Sequence, residues 1–310
     1  MSNILIIKHG SLGDLIQANG AIKDIKTFYK NRKVFLLTSQ PYAIFMSECP
    51  YIDGVIIDKR LPRWNLFYLN TLKKNLAKYN FTKVFDLQNS SRTKFYKRFI
   101  IKNVEWSSSE TSLEPGQKKR DFDQEPVLDR IEIQLKKSGV NTEYVKNIDL
   151  SWSTTDISRL TKQYANNEYI LIFPFCSKKL PQKKWPFFKE LIYRLKQDYK
   201  NKYPVLLAPG PNEIDEANQL SGKVVLDNNE PIDIKTLISL ISNAKFIVSN
   251  DTGPAHIASH LDKNGIVLFG SHTTSKKVSI ENYNFKPINV QNLKDLNVET
   301  VLNAIKSKLS

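Results

Sequence analysis

The turn from Lys8 to Asp14 contains the first residues whose types and spacing suggest chemistry. It reads Lys-His-Gly-Ser-Leu-Gly-Asp and joins a short apolar segment to an amphipathic one. Two glycines allow positive φ angles and a close backbone approach, and the amides at a helix start attract anions. The G-x-x-G spacing is neither the dinucleotide fingerprint nor a Walker A loop. Asp14 either complements the helix dipole or acts as a general base at the carboxyl end of a strand.

A second group of polar residues lies in the loop 174–186. The loop contains four lysines and no acidic residue, and Pro186 suits the first turn of the helix that follows. Lysines at a helix start oppose the helix dipole. The loop is therefore either a solvated charged run or a site that expects an anion.

The run from Phe246 to His256 is the most specific local pattern. An apolar strand ends in Ser-Asn-Asp-Thr-Gly, and Pro254 begins a helix, which predicts a phosphate site at the helix amides. His256 and His260 have a metal-ligand spacing, but the H-E-x-x-H pattern and a third ligand are missing. The single D-x-D, Asp121–Asp123, is interpreted as incidental, so no metal site is predicted.

Residues 92–102 form a basic, aromatic-rich stretch. It contains five basic residues, no acidic residue, and interleaved Phe95, Tyr96 and Phe99. On a helix, Lys94, Arg98 and Lys102 share one stripe. The stripe is either a solvated helix face or a contact for a phosphorylated acceptor or an anionic membrane surface.

The elements that must position these groups alternate between apolar and amphipathic segments. Short apolar runs predict strands at Ile4–Lys8, Val34–Thr38, Val55–Asp58, Lys83–Leu87, Val104–Trp106, Tyr169–Pro174, Pro204–Ala208, Lys223–Asp227, Lys245–Ser249 and Gly265–Phe269. Apolar residues at helical spacing predict helices at Leu15–Tyr29, Val127–Ser138, Phe187–Tyr199 and Val298–Leu309. Continuous apolar strands that alternate with helices are typical of parallel sheets covered on both faces.

Two domains are expected, 1–158 and 159–310, because the alternation breaks near residues 141–155 and resumes near Tyr169. In open α/β sheets, ligands bind at the carboxyl ends of the strands. Two such edges that face each other across a central cleft would enclose a site for two substrates.

The composition is that of a globular protein with a large positive charge. The 310 residues include 46 Lys or Arg and 31 Asp or Glu, a net charge of +15, which favours an anionic partner. Two cysteines exclude a disulfide scaffold. No apolar run approaches the length of a membrane span, and the first residues do not read as a signal peptide. We therefore expect a cytoplasmic protein.

In these motifs, the chain resembles glycosyltransferase family 9, the ADP-heptose–lipopolysaccharide heptosyltransferases. Lys8–Asp14 is similar to the family's K-x-S-S-x-G-D, and Lys183–Pro186 to its K-x-W-P. Ser249–His256, followed by Gly265–Gly270, resembles the family's most specific signature, and Asp86–Gln88 fits its N-terminal half. The matches run in the family's order from residue 4 to about 270.

The resemblance implies a GT-B fold, with two Rossmann-like domains, and an inverting, metal-independent transfer from a nucleotide sugar. Asp14 would be the general base on the acceptor hydroxyl. Ser11 and Gly13 would bind near the donor phosphates, and Lys183 would neutralise the leaving diphosphate. The donor pocket would also include Asp251, Thr252, Gly253 and His256.

Other contacts follow from the same resemblance. Glu213 would contact the nucleoside, with Glu216 as the alternative because the spacing is ambiguous. The N-terminal domain would bind the acceptor, for which Gln88, Arg92, Lys94 and Arg98 are the candidate residues. No cofactor is expected beyond the nucleotide-sugar co-substrate, ADP-heptose.

The implied function is heptose transfer to a phosphorylated lipopolysaccharide core acceptor at the cytoplasmic face of the inner membrane, with peripheral contact to the anionic lipid surface. Two departures from the family pattern leave the donor open: Gly10 replaces a serine, and Ser271–Ser275 replaces a T-D-P turn. The alternatives are a GT-B transferase with another donor or acceptor, or a non-catalytic protein that binds nucleotides or polyanions. No nucleic-acid module is recognised, so nucleic acid is not an expected partner.

Overall fold

The computed structural model describes residues 2–165, 168–199 and 202–309. The chain divides into two compact units, Met1–Trp152 and Ser153–Ser310. Within the described residues, no helix combines the length and the apolar character needed to cross a membrane.

The N-terminal unit is a five-stranded sheet with helices between its strands. Its strands are β1 (Asn3–Ile7), β2 (Val34–Thr38), β3 (Gly54–Ile57), β4 (Phe81–Asp86) and β5 (Glu105–Ser107). Its helices are α1 (Leu12–Phe28), α2 (Gln40–Ser47), α3 (Leu66–Ala77), α4 (Ser91–Phe99), α5 (Lys119–Phe122) and α6 (Val127–Lys137). All strands are parallel, in the order β3-β2-β1-β4-β5. The order reverses direction between β1 and β4.

The sheet of the N-terminal unit is buried on both faces, which is why its central strands read as continuous apolar runs. Leu5 and Ile7 of β1 pack with α3 and α4. Ile4 and Ile6 alternate to the opposite face and are also fully buried. This arrangement confirms the expected parallel sheet with helices on both sides.

The C-terminal unit contains a second parallel sheet. Its strands are β6 (Ile170–Phe173), β7 (Val205–Leu207), β8 (Lys223–Val224), β9 (Leu226–Asp227), β10 (Glu230–Pro231), β11 (Phe246–Asn250), β12 (Gly265–Phe269) and β13 (Phe285–Asn289). Its helices are α7 (Ser158–Tyr164), α8 (Phe188–Tyr199), α9 (Ile214–Asn218), α10 (Ile234–Asn243), α11 (Gly253–His260) and α12 (Val298–Leu309). The main sheet has the order β13-β12-β11-β6-β7-β8, and β9 and β10 form a separate antiparallel pair.

The sheet orders identify both units as Rossmann-like. The strand order of the C-terminal unit, read from its first strand β6, is the 3-2-1-4-5-6 order of a doubly wound fold. The order reverses between β6 and β11, as it does between β1 and β4 in the N-terminal unit. Ligands of such sheets bind at the carboxyl ends of the strands beside these reversals, so the candidate site residues are sought there.

The sequence pattern missed β13 and read β8 and β9 as one strand. In β13, Lys286, Pro287 and Asn289 interrupt the apolar run that marks the other strands, because only Phe285 is fully buried in this edge strand. The segment 223–227 changes partner at Val225: β8 pairs with β7, and β9 pairs with β10. Such a change of pairing partner depends on the tertiary structure, and a short apolar run in the sequence does not show it.

Candidate active site

The turn after β1 lies at the first reversal and holds the predicted base. Asp14, in the first turn of α1, accepts hydrogen bonds through Oδ2 from Ser11 N (2.8 Å) and Ser11 Oγ (3.0 Å). Its Oδ1 lies 3.8 Å from Lys8 Nζ, and its side chain is 44% exposed. The carboxylate is thus fixed on one oxygen, faces a cation with the other, and remains accessible to a substrate.

Lys8 is buried beside this carboxylate. Its Nζ donates to the carbonyl oxygen of Leu87 (3.1 Å) at the end of the neighbouring strand β4. Burial lowers the pKa of Lys8, while the charge of Asp14 opposes that shift. Lys8 therefore connects the turn to the end of β4 by a hydrogen bond and places its ammonium group beside the carboxylate of Asp14.

One departure from the family pattern, Gly10 in place of a serine, has a structural reason. Its φ is +115°, and a Cβ built at this position would overlap the ring of Tyr42 on α2. A serine there would need both a conformation that L residues rarely adopt and a displaced tyrosine. In this chain, Tyr42 occupies the space where the family's serine side chain would begin.

A buried polar network supports the turn from the other side. His9 Nε2 lies 2.8 Å from Asp58 Oδ2, just beyond β3. Asp58 also accepts hydrogen bonds from the hydroxyls of Tyr68 and Tyr96 on α3 and α4. Burial opposes ionisation of Asp58, but these donors together with His9 hold its pKa at about 2. An ionised Asp58 thus fixes His9, and with it the turn that carries Asp14.

The four predicted acceptor residues have different environments. Gln88 accepts a hydrogen bond from His9 N (2.9 Å) through its side-chain oxygen. Arg92 donates to the carbonyl oxygens of Arg60 (3.1 Å) and Leu61 (3.0 Å). Lys94 pairs with Glu110 at 2.5 Å, and the guanidinium of Arg98 lies over the ring of Phe99. Gln88 and Arg92 therefore hold the protein's own loops, whereas Lys94 and Arg98 are exposed.

The second group of site residues surrounds Asp251, just after β11. Lys183 Nζ lies 2.5 Å from Asp251 Oδ2, His272 Nε2 lies 3.1 Å from the same oxygen, and His256 Nε2 lies 3.9 Å from Oδ1. Burial opposes ionisation of Asp251, but the hydrogen bond from His272 and the charge of Lys183 hold its pKa at about 2. A buried anion thus orients a lysine that is itself 21% exposed.

Asn250 explains how the lysine loop is brought to Asp251. Its side-chain oxygen accepts a hydrogen bond from Trp185 N (3.1 Å). Its amide nitrogen donates to the carbonyl oxygens of Pro174 (2.8 Å) and Phe175 (3.3 Å). Trp185 is fully buried and donates from its indole to Leu296 O (2.8 Å). Both ends of the loop 174–186 are therefore clamped to β11, with Lys183 between them.

The helix start beside Lys183 has the features expected of an anion site. Thr252 is the N-cap of α11, Gly253 is its first residue, and Pro254 follows. The first amides of a helix have no acceptor within it and lie at its positive end. Thr252 and Gly253 directly follow Asp251, so the structure brings the predicted lysine and the predicted helix amides together.

The two glutamates considered for the nucleoside have different contacts in the protein. Glu213 accepts a hydrogen bond from Gly210 N (2.8 Å) in the loop after β7, and burial raises its pKa. Glu216 instead forms an ion pair with Lys184. Glu213 therefore closes the loop, and Glu216 neutralises one of the loop lysines.

His272 is a site residue that sequence reasoning missed. The segment Ser271–Ser275 was recognised only as a departure from a family turn. His272 is nearly buried, with its ring stacked on Phe269 and its Nε2 against Asp251. The available signal was its position just beyond the carboxyl end of β12, the strand next to β11.

A pocket of about 620 Å³ adjoins His272 in the C-terminal unit. Its lining comes from the lysine loop, the turn after β12 and the segment after β13, and includes Gln182, Lys184, Ser271, His272, Asn292 and Lys294. A pocket of this size at the carboxyl ends of parallel strands, with amide, hydroxyl and lysine side chains in its lining, suits part of a nucleotide sugar.

The two histidines of α11 have different environments. Burial, with a smaller contribution from the charge of His256, lowers the pKa of His260 to about 3. His260 is therefore neutral near pH 7, while His256 faces Asp251. Across the ranges that the structure describes, no three His, Cys, Asp or Glu side chains are grouped to hold a metal ion.

The low pKa of Asp251 predicts an acid-dependent loss of stability. Because the folded-state pKa is depressed to about 2, its contribution is present above the unfolded-state value near 4 and is lost as the pH falls towards 2. Between about pH 5 and pH 2, wild type should lose about 2 kcal/mol more of its free energy of unfolding than Asp251→Asn. Denaturant unfolding over this range measures the difference, and parallel losses in the two proteins would contradict the assignment.

Comparisons with known proteins agree with this geometry. The sequence profile described as glycosyltransferase family 9 (heptosyltransferase) matches residues 69–300. The chain is 24% identical to lipopolysaccharide heptosyltransferase 1 of Campylobacter coli, over 91% of this chain and 87% of that protein.

Solved structures show the same fold. A glycosyl transferase family 9 structure from Veillonella parvula matches with a TM-score of 0.77 and 14% identity, over 99% of this chain and 97% of that one. E. coli heptosyltransferase WaaC with ADP-2-deoxy-2-fluoro heptose matches with a TM-score of 0.73 and 18% identity, over 98% and 99%.

The two Rossmann-like units, with polar groups at both strand-order reversals, have the GT-B fold of the solved heptosyltransferases. The profile match covers well over half of the chain. The chain belongs to glycosyltransferase family 9, the heptosyltransferase family, and both the expected fold and the expected enzyme class are confirmed.

Proposed function

We propose that this enzyme transfers heptose from ADP-heptose to a lipopolysaccharide inner-core acceptor. The observation that carries the proposal is Lys183, held at 2.5 Å by the buried Asp251 beside the start of α11. Support for the donor and acceptor comes from the family, from the lipopolysaccharide heptosyltransferase of C. coli and from the solved heptosyltransferase with an ADP-heptose analogue.

The C-terminal unit is assigned to the donor. The diphosphate would accept hydrogen bonds from the first amides of α11, at Thr252 and Gly253, and would face Lys183 and His256. When the glycosidic bond breaks, negative charge grows on the leaving diphosphate, and fixed cations and amides stabilise it without reorganising. Glu213 would contact the nucleoside. Ser11 and Gly13 of the N-terminal unit would approach the donor phosphates.

The N-terminal unit is assigned to the acceptor, with Asp14 as the base. Asp14 Oδ1 would take the proton of the acceptor hydroxyl while that oxygen attacks the anomeric carbon. The bond from the anomeric carbon to the diphosphate oxygen breaks in the same step, so the configuration inverts. Oδ2 accepts both hydrogen bonds from Ser11, and Oδ1 lies 3.8 Å from Lys8 Nζ, so the proton is assigned to Oδ1.

No metal is required in the proposed step, because Lys183 supplies the positive charge that a divalent ion supplies in other transferases. Lys94 and Arg98 are the exposed cations proposed for the phosphorylated acceptor, together with Gln88 and Arg92. The acceptor is lipid-borne, so the enzyme would work at the cytoplasmic face of the inner membrane in peripheral contact with its anionic surface. This assignment accounts for part of the +15 charge without nucleic acid.

A screen of nucleotide sugars by thermal shift tests the donor assignment. A ligand that binds only the folded state raises the melting temperature, and the increase grows with the logarithm of its concentration divided by its Kd. ADP-heptose is expected to give the largest shift, ADP alone a smaller one, and UDP-sugars none. If another nucleotide sugar gives a larger shift than ADP-heptose, that nucleotide sugar becomes the proposed donor.

A further inference from the structure

An apolar cluster is exposed where the loop after β3 meets the first turn of α3. Trp64 is 80% exposed, Leu66 75% and Phe67 85%. Isolated apolar side chains on a surface are ordinary, but large apolar residues that lie together in solvent mark contact surfaces. Trp106 and Trp185 are buried, so Trp64 is exceptional among the tryptophans.

The same segment is strongly basic. Lys59, Arg60 and Arg63 are all exposed, and residues 59–67 contain no acidic side chain. We name residues 59–67 the basic–aromatic surface.

Hydrogen bonds hold the backbone of this surface in place. Arg92 donates to the carbonyl oxygens of Arg60 (3.1 Å) and Leu61 (3.0 Å). Arg63 donates to Ser91 O (3.4 Å), and Asn65 caps α3 by accepting from Tyr68 N (2.9 Å). The exposed apolar side chains therefore lie on an anchored loop end and the first turn of a capped helix, and they do not reflect a loose segment.

The surface lies at the same edge of the sheet as the candidate base. It begins directly after Asp58, at the carboxyl end of β3, and Asp58 Oδ2 is 2.8 Å from His9 Nε2 in the turn that carries Asp14. An object bound at the basic–aromatic surface would therefore be close to the acceptor side of the N-terminal unit.

We propose that the basic–aromatic surface docks on an anionic lipid bilayer, with Trp64, Leu66 and Phe67 entering the headgroup region. Tryptophan and other aromatic rings favour the membrane interface, and basic residues beside them are attracted to anionic headgroups. Docking on lipid rests on the proposed function, because a transferase with a lipid-borne acceptor must meet that acceptor at a membrane.

Charge favours this occupant over a second copy of the chain. Two identical surfaces of this kind would bring several cations together with no acidic partner within residues 59–67. An anionic bilayer provides both the opposite charge and an apolar phase.

The test is flotation of the full-length enzyme with phosphatidylglycerol–phosphatidylcholine vesicles and with phosphatidylcholine vesicles, without donor or acceptor. We expect the wild type to float with the anionic vesicles at low salt. Trp64→Ala/Phe67→Ala should bind about tenfold more weakly or worse, since both side chains are already exposed and their loss should leave folding intact. The matched control is Tyr193→Ala/Tyr283→Ala, which removes two exposed aromatics from the C-terminal unit and should float like the wild type.

Tryptophan fluorescence gives a second readout from the same samples. Anionic vesicles should shift the emission of the wild type to shorter wavelength, and Trp64→Phe should abolish the shift while flotation continues. Equal flotation of the wild type and Trp64→Ala/Phe67→Ala would overturn the proposal, as would absence of flotation. A concentration-dependent shift without vesicles would assign the surface to self-association instead.

These results are independent of the proposed reaction. An enzyme that floats normally but shows no thermal shift with ADP-heptose would retain the docking surface and lose the donor assignment. An enzyme that shows the thermal shift with ADP-heptose but does not float would overturn the docking proposal and leave the donor assignment intact.

Discussion

Asp14→Asn is expected to lower kcat by about 10²- to 10⁴-fold, the usual contribution of a positioned general base. The substitution keeps the shape of the side chain and an oxygen that can accept from Ser11, but it removes the proton acceptor. Donor affinity should change little, because the donor is assigned mainly to the C-terminal unit. The measurement is a steady-state assay of ADP release, paired with donor binding by calorimetry.

Asp129→Asn is the matched control for this experiment. Asp129 is also an aspartate in the first turn of a helix of the N-terminal unit, and it pairs with Lys146 on the surface. Its variant should retain wild-type kcat. Turnover by Asp14→Asn within a factor of two or three of the wild type would remove Asp14 from the role of base.

Lys183→Gln is expected to weaken donor binding by about 10- to 100-fold, the range of one lost hydrogen bond to a charged group. The loss of transfer rate should be larger than the loss of affinity, because charge on the diphosphate increases as the bond breaks. The variant also leaves the buried Asp251 with less compensating charge, so the pKa of Asp251 should rise. Calorimetric titration with ADP and ADP-heptose, followed by kcat, separates these effects.

Lys179→Gln controls for general loss of positive charge. Lys179 lies in the same loop and is exposed, so its variant should bind the donor like the wild type. If Lys183→Gln and Lys179→Gln weaken donor binding equally, the loop acts as a diffuse cationic surface and Lys183 has no special position.

The fold was largely predictable because most strands of both sheets are buried on both faces. Such strands read as uninterrupted apolar runs, as in Val34–Thr38 and Gly265–Phe269, whose bounds the pattern predicts without error. The edge strand β13 lacks this signal, since Lys286 and Pro287 are only partly buried. Where burial is one-sided or a strand changes partner, the sequence pattern loses its physical basis.

The candidate site was predictable only where motif and strand end coincide. Asp14, Lys183 and Asp251 each follow a strand in a recognisable motif, and the structure unites Lys183 with Asp251. His272 pairs with Asp251 only because β12 lies beside β11, and a contact between residues 21 positions apart leaves no local pattern.

Residues that support the site were harder still to predict. Asn250 was noted only as part of the motif after β11. In the structure its side chain forms hydrogen bonds with the backbone of Pro174, Phe175 and Trp185. Arg92, which remains a proposed acceptor residue, also holds the loop at Arg60 and Leu61. Such roles depend on what the fold brings within hydrogen-bond distance.

The most direct test of the central claim is a mass-spectrometric assay of the acceptor after incubation with enzyme and ADP-heptose. The account predicts that a lipopolysaccharide inner-core acceptor gains one heptose, that ADP is released in equal amount, and that both products form at least about 10²-fold more slowly with Asp14→Asn. An acceptor mass that stays unchanged with ADP-heptose but increases with another nucleotide sugar would contradict the claim.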